Sequence, residues 1–288
     1  MNNMKIINHQ RIDGVIPNAR GQRPFPTTSL AHFDPFVMLD HIGPSTMPAN
    51  WRLDGGTDLK PNLHPHRGFE TITFMFKGNL HHRDSKFSER PLLTNGSVQQ
   101  MNAGSGIQHG GDIWADEQQQ FHEVQLWVNS PAKSKMSEPR VHNVSNTDIP
   151  VIKASNQSGE VTLRIVAGSL EGIQGPIHTY ANIRAIHGMV SGKQTLKFDQ
   201  TQLEVKHNRT MLYVLSGRVI INGEVINEFQ AAAFEQPISQ FEFTASEGEF
   251  LLISGQSINE TIVFGGPFVM NTQEEIEQAK QDYAKGLF

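Results

Sequence analysis

Short apolar segments, separated by turn-forming residues, recur along most of this 288-residue chain. In the first half, residues 69–76 (FETITFMF) and 121–129 (FHEVQLWVN) are rich in Thr, Ile, Val and aromatic side chains, a composition typical of β-strands. The segments 77–79 (KGN) and 94–96 (TNG) have the chemistry of turns. The pattern therefore predicts a first half built from short strands.

The second half repeats this pattern after a polar, proline-containing stretch at residues 130–146. Short strands are predicted at residues 161–166, 211–215, 218–221, 241–243 and 250–253, with turns at Ser216-Gly217 and Asn222-Gly223. Many short strands without intervening helices indicate a second antiparallel barrel. We therefore expect an N-terminal domain over residues 1–136, a linker over 137–146 and a C-terminal domain over 147–288.

The C-terminal tail has a different pattern, which predicts one α-helix. Thr272 and Glu275 have the spacing of a capping box, in which each side chain bonds to the other residue's backbone N–H. Ile276, Ala279 and Tyr283 then fall on one helical face. We expect this helix to pack on the C-terminal barrel.

Composition excludes several classes of function. Hydrophobic residues make up 37% and charged residues 18% of the chain, which fits a globular protein. The absence of Cys excludes disulfides, thiolate-bound zinc and thiol nucleophiles. The net charge of −5 and the lack of Lys/Arg blocks argue against a nucleic-acid surface. No signal-like or membrane-spanning apolar run is present, so we expect a cytoplasmic protein without a membrane partner.

Histidines concentrate in the first half, where ten of the 13 lie before residue 145. His64 and His66 flank Pro65, and side chains two positions apart on a strand point to the same face. Two neighbouring imidazoles suit a metal that needs nitrogen ligands. A third candidate, His109, follows the glycine-rich turn at residues 104–106. The spacing therefore predicts a metal site in the N-terminal barrel and none after about residue 147.

The segments that contain these histidines, together with three others, resemble the pirin family of bicupins. The matching segments are residues 33–43 (FDPFVMLDHIG), 64–71 (HPHRGFET), 103–109 (AGSGIQH), 125–129 (QLWVN) and 265–271 (GGPFVMN). The resemblance implies an all-β fold of two tandem cupin barrels, each a double-stranded β-helix or jelly roll, followed by a C-terminal helix. It also implies a metal in the N-terminal barrel and a degenerate C-terminal barrel.

The family holds its metal with the two histidines of the HPH motif, the histidine of the GxGIxH segment and a glutamate two residues later. His64, His66 and His109 match the first three ligands, whereas Gly111 occupies the position of the glutamate. The resemblance implies one divalent transition metal, Fe(II) in the first place and Mn, Ni or Zn as alternatives.

Three alternatives remain for the fourth ligand. Asp112 follows Gly111, and strand parity directs it away from the metal unless a bulge at Gly110-Gly111 turns it back. Glu70 occupies the carboxylate position of the general cupin pattern. Alternatively, the centre has three histidines completed by water. Either carboxylate is also a candidate general base. Nearby, His82 and Asp84 share a strand face and are candidates for residues that orient a ligand.

The resemblance implies a flavonol (quercetin) 2,3-dioxygenase with a mononuclear iron centre and a small aromatic substrate. Open metal positions would accommodate O₂ and an organic ligand together, and a carboxylate would take the substrate's hydroxyl proton. The alternative is a metal-dependent regulatory protein that acts through protein contacts without turnover. A third hypothesis is a scaffold whose metal site has decayed. Metal analysis and a flavonol assay distinguish the three.

Overall fold

The computed structural model describes residues 4–56, 62–201, 203 and 205–288, and these residues are mostly in β-strands, as the pattern predicts. The first half contains β1 Met4–Asn8, β2 Gln10–Ile12, β3 Gly21–Phe25, β4 Phe36–Thr46, β5 Arg52–Leu53, β6 His64–His66, β7 Phe69–Lys77, β8 Asn79–Asp84, β9 Leu92–Leu93, β10 Val98–Asn102, β11 Ile107–Trp114, β12 Gln120–Asn129 and β13 Arg140–Val144. The second half contains β14 Val151–Asn156, β15 Gly159–Ala167, β16 Ser169–Leu170, β17 Ile173–Gln174, β18 Ile183–Asp199, β19 Arg209–Ile221, β20 Glu224–Asn227, β21 Gln230–Phe234, β22 Gln240–Gly255, β23 Val263–Phe264, β24 Val269–Met270 and the helix α1 Gln273–Ala284. Short 3₁₀ helices span Ala132–Ser134 and Asn146–Asp148.

Two sheets build the N-terminal barrel. A seven-stranded sheet has the order β13-β10-β7-β12-β4-β3-β2, and a smaller sheet has the order β5-β11-β8-β9 with β6 also paired to β11. A common cavity is lined from the first sheet by Thr73 and Gln125 and from the second by His109 and Ile113. The barrel therefore encloses a space with polar side chains from both sheets.

The strand β7 shows how this barrel separates its two faces. Its first eight residues are buried, so both faces are covered. Alternation places Thr73 and Met75 on one face and Ile72 and Phe74 on the other. Because Thr73 lines the cavity, its face is the interior of the barrel.

Residues expected to form the linker form a strand instead. β13 pairs with β10 in antiparallel register, with Val144 opposite Val98 and Val141 opposite Met101. Val141 and Val144 are three positions apart, so alternation places them on opposite faces of β13. Val144 is buried and Val141 is partly buried, whereas the other three residues of the strand are exposed. The polar composition therefore reflects an edge strand that is largely exposed.

The second barrel is built from one eight-stranded sheet of order β1-β21-β19-β22-β18-β15-β14, with β20 paired to β19. Its core contains Phe198, Phe243, Phe250 and Leu252, with exposures of 2% or less. The turn predicted at Ser216-Gly217 is a bulge within β19, because the pairing with β22 shifts register there and β19 continues to Ile221.

The C-terminal helix is confirmed, whereas its expected packing is wrong. Thr272 and Glu275 form the capping box. Ile276 and Ala279 are buried in a cluster with Phe268. The chain divides into two compact units, and the helix belongs to the unit of residues 11–22, 37–146 and 259–288, which contains the N-terminal barrel. The other unit comprises residues 1–10, 23–36 and 147–258, because β1 pairs with β21. In the part of the chain that the structure describes, no helix has the length and apolar character needed to span a membrane.

Candidate metal centre

Two neighbouring strands bring the three predicted histidines together. His64 is directly opposite His109, and His66 is opposite Ile107, in the antiparallel pairing of β6 with β11. The ring centroids of His64, His66 and His109 lie 4.4 to 5.0 Å apart. Pro65 is tolerated between the two histidines because β6 pairs with β11 on one side only among the described strands. The HPH spacing and the register between β6 and β11 therefore bring the three histidines together.

The donor atoms of these histidines suit a transition metal. One ring nitrogen from each of His64, His66 and His109 lies within 4.8 Å of the others. The His66 Nδ1–H donates to the carbonyl oxygen of Pro267 at 3.1 Å, which leaves the Nε2 lone pair available. The Nε2 of His109 is buried and has no hydrogen-bond partner. A buried nitrogen without a hydrogen-bond partner, next to two other imidazoles, is the arrangement expected of a site that binds a metal ion.

The three imidazoles are held in the neutral form that metal binding requires. Burial lowers the pKa of His64, and burial together with His64 lowers the pKa of His66 to about 3. Burial and the neighbouring histidines also bring the pKa of His109 well below its usual value. Neutral imidazole is the form that ligates a metal, so these pKa shifts favour ligation at neutral pH.

Aromatic residues fix the orientation of His66. Its ring packs edge-on against Phe69 and Trp127 at centroid distances of 5.1 and 5.2 Å. Phe69 and Trp127 in turn stack on each other at 4.2 Å. These contacts give the His66 ring an apolar wall of two packed aromatic side chains.

Asp112, one of the three alternatives for the fourth ligand, has its carboxylate engaged away from the three histidines. Its carboxylate accepts a hydrogen bond from the backbone N–H of Gly55 at 2.8 Å and lies 3.0 Å from Arg52 and 3.3 Å from Arg83. The pairing of β11 with β8 continues from His109 to Trp114 without a register shift, so the bulge that would turn Asp112 inward is absent from this stretch. Ordinary strand parity thus directs the side chain away from the centre.

The position of the family's glutamate cannot accept a larger side chain without backbone movement. Gly111 has a φ of +155°. A Cβ atom there would overlap the carbonyl oxygen of His81. Gly55 packs against the Gly111 backbone from another direction. The absence of a carboxylate at this position is therefore part of the local fold.

Glu70, the other candidate, is also turned away. Gly68, with a φ of +86°, separates β6 from β7, and the two strands belong to different sheets. The even spacing of His64 and Glu70 therefore does not place their side chains on one face. Alternation places Glu70 opposite to the Thr73 face that lines the cavity. The Glu70 carboxylate accepts a hydrogen bond from Gln100 Nε2 at 2.8 Å.

His82 and Asp84, the residues expected to orient a ligand, lie beside the three histidines. The His82 ring centroid is 5.6 Å from that of His109. His82 Nε2 lies 3.1 Å from the Asp84 carboxylate, and the His82 Nδ1 is buried without a hydrogen-bond partner. In the second half, His187 contacts Glu249 at 2.8 Å and His207 contacts Ser254 at 2.8 Å.

Sequence reasoning missed two acids in the cavity beside the histidines. The cavity has a volume of about 300 Å³, and Asp40 and Glu123 line it together with His64 and His109. Asp40-His41 on β4 and His122-Glu123 on β12 are acid–histidine pairs on adjacent strands. The two acid–histidine dipeptides were the sequence signal for this pair of acids. That β4 and β12 are neighbours in the sheet could not be predicted from the sequence.

Comparisons with known proteins agree with this architecture. The chain matches the Pirin family over residues 18–128 and the Pirin C-terminal cupin domain over residues 193–288. It is 32% identical to a pirin-like protein of Caulobacter vibrioides, with 92% of this chain and 91% of the relative covered.

Solved structures share the fold. A quercetin 2,3-dioxygenase from Acinetobacter baumannii has a TM-score of 0.82 and 29% identity, with 99% of this chain and 96% of that chain covered. The bacterial pirin YhhW from Escherichia coli, solved in complex with nickel(II), has a TM-score of 0.62 and 16% identity, with 88% of this chain and 99% of that chain covered. The sequence matches extend over both barrels, and the chain therefore belongs to the pirin family, with the two-barrel cupin fold.

Proposed function

We propose that this protein is a metal-dependent oxygenase that uses O₂ to cleave a flavonol such as quercetin, with Fe(II) held by His64, His66 and His109. The observation that carries the proposal is the convergence of three neutral imidazoles, one of which has a buried, unpartnered Nε2. The similarity to a quercetin 2,3-dioxygenase structure supports the choice of substrate class.

His64, His66 and His109 would hold the metal through three nitrogens, and the coordination positions left open would allow O₂ and an organic ligand to bind together. The protein's part is positioning. His66 is fixed by its hydrogen bond to Pro267 and by the Phe69 and Trp127 rings. Because these contacts hold the ring before any ligand arrives, little reorganisation is needed on binding.

The cavity supports a small aromatic substrate. Its volume of about 300 Å³ is at the lower end of the range of about 300–1,000 Å³ for small-molecule sites. Apolar side chains of Ile42, Leu80 and Ile113 line it together with the polar Thr73 and Gln125. An aromatic ligand with several hydroxyl groups would find both apolar surface and hydrogen-bond partners there.

The test is flavonol consumption by protein loaded with Fe(II) under argon. When air is admitted, quercetin absorbance should decrease with matching uptake of O₂. His66→Ala should reduce the rate at least 10²-fold because it removes a ligand. His142→Ala, which changes an exposed histidine on β13, should leave the rate unchanged.

Fully loaded wild-type protein that consumes neither flavonol nor O₂ would overturn the proposed oxygenase activity and favour the regulatory alternative. The same assay with Mn(II), Ni(II) and Zn(II) identifies the metal that supports turnover. A faster rate with one of these than with Fe(II) would revise the proposed metal and leave the histidine site intact.

A further inference from the structure

Two carboxylates are buried in the wall of the cavity that contains the histidines. Asp40 is 7% exposed and Glu123 is 8% exposed. Both line the same cavity as His64 and His109. Buried acids are rare unless an interaction or a function retains them, so this pair requires an explanation.

Asp40 and Glu123 lie on adjacent strands, each beside a buried histidine. On β4 and β12, His41 and His122 stack at a centroid distance of 4.8 Å, and their Nε2 atoms lie 2.7 Å apart. This contact joins the two strand segments that carry the acids. Asp40 and Glu123 themselves line the cavity.

The neighbouring residues define the surroundings of Glu123. The pairing of β12 with β7 shifts register between His122 and Glu123, after which Glu123 is opposite Met75. Gln125, two positions further along β12, also lines the cavity and is opposite Thr73. The acid therefore belongs to a row of polar side chains on the inner face of the seven-stranded sheet.

Electrostatics give Glu123 the properties of a base that works near neutral pH. Burial, and the nearby negative charge of Asp40, raise the pKa of Glu123 to about 7. General acid–base catalysts are most effective when their pKa is close to the working pH. The other ionisable residues among the described residues that line the cavity are Asp54, His64 and His109.

We propose that Glu123, with Asp40 beside it, accepts the hydroxyl proton of a phenolic or enolic ligand in the cavity. In this step the ligand O–H bond breaks, the proton is transferred to a Glu123 oxygen, and the ligand remains as its anion beside the histidines. The proposal rests on the proposed oxygenase function for the identity of the ligand. The proposal assigns the base role to a residue outside the three-histidine set. In this chain Gly111, at the position of the family's glutamate, carries no carboxylate that could act as the base.

The test uses quercetin as the probe, with Fe(II)-loaded protein under argon, where no turnover occurs. Bound quercetin changes its absorbance on ionisation, so a pH titration gives the midpoint at which it becomes the anion. Glu123→Gln should keep the metal content and shift this midpoint upward by at least one pH unit. Glu117→Gln, an exposed loop acid, is the matched control and should have the wild-type midpoint.

Asp40→Asn provides an independent variant with a distinct signature. Removing the negative charge of Asp40 should lower the pKa of Glu123. In air, the acidic limb of the kcat/KM profile should therefore lie near pH 7 in wild type and at lower pH in Asp40→Asn. In Glu123→Gln the limb should disappear, with kcat lowered about 10²- to 10⁴-fold, the range expected for loss of a general base.

The titration under argon separates this proposal from the oxygenase proposal, because it requires binding of quercetin but no turnover. An unchanged midpoint in a folded, metal-loaded Glu123→Gln would overturn the role of Glu123, whether or not the wild type consumes quercetin. Retention of the acidic limb in Glu123→Gln would do the same. A shifted midpoint without turnover in wild type would support the proton transfer and refute the oxygenase activity.

Discussion

At the scale of single residues, Asp112 illustrates how a candidate ligand can be a structural acid. Its carboxylate is almost buried and contacts Arg52, Arg83 and the Gly55 backbone. Asp112→Asn should lower the free energy of unfolding by about 1–3 kcal/mol, the cost of leaving buried hydrogen-bonding groups unpaired. Metal content should be unchanged. Urea unfolding and elemental analysis of the same samples measure both effects.

The pH dependence of this stabilisation follows from the lowered pKa of Asp112, which reflects the Gly55 N–H and the two arginines despite the opposing effect of burial. A folded-state pKa below the unfolded value stabilises the protein above the usual Asp pKa of about 3.9. The difference between wild type and Asp112→Asn should therefore persist at neutral pH and decrease as pH falls below about 4. Loss of metal without loss of stability would instead identify Asp112 as a ligand.

At the scale of elements, the C-terminal helix is held by one buried face. Ile276 is fully buried, whereas Tyr283, predicted on the same face, is 38% exposed. Ile276→Ala should destabilise the protein by about 2–5 kcal/mol because it removes buried methyl groups and leaves a cavity. Tyr283→Ala is the comparison variant and should cost clearly less. Equal effects in thermal unfolding would mean that the helix is not packed through Ile276.

The helix also contacts Arg67, which lies between β6 and β7. Asp282 forms an ion pair with Arg67 at 2.8 Å, and the Arg67 guanidinium lies over the Phe288 ring at 4.5 Å. Arg67 directly follows His66. The tail therefore supports the backbone next to a proposed ligand, a role that the capping box alone could not indicate.

Short sequence patterns predicted those features that depend on neighbouring residues in the chain. The strand at β7, the capped helix and the histidine trio follow from side-chain alternation, capping and the HPH spacing. Tertiary contacts determined the rest. Gly68 separates β6 from β7 at a point where a Cβ would overlap the Val269 carbonyl oxygen. Because of this break, Glu70 does not lie on the same strand face as His64. The Asp40–Glu123 pair depends on the adjacency of β4 and β12, which no short motif encodes.

At the scale of the whole molecule, metal binding should stabilise the folded chain. A ligand that binds only the folded state adds RT ln(1 + [L]/Kd), about 2.7 kcal/mol at 100 times Kd. Saturating Fe(II) under argon should therefore raise the thermal unfolding midpoint of wild type. The same addition should have little effect on His109→Ala, which lacks the buried ligand nitrogen. An equal rise in both proteins would place the metal elsewhere.

The most direct test of the metal centre is the metal content of protein reconstituted with Fe(II) and freed of excess ion. Wild type and the exposed-histidine control His142→Ala should each hold close to one equivalent per chain, whereas His64→Ala/His66→Ala, confirmed as folded by circular dichroism, should hold almost none. Equal metal content in wild type and the folded double variant would contradict the assignment of His64, His66 and His109 as the metal site.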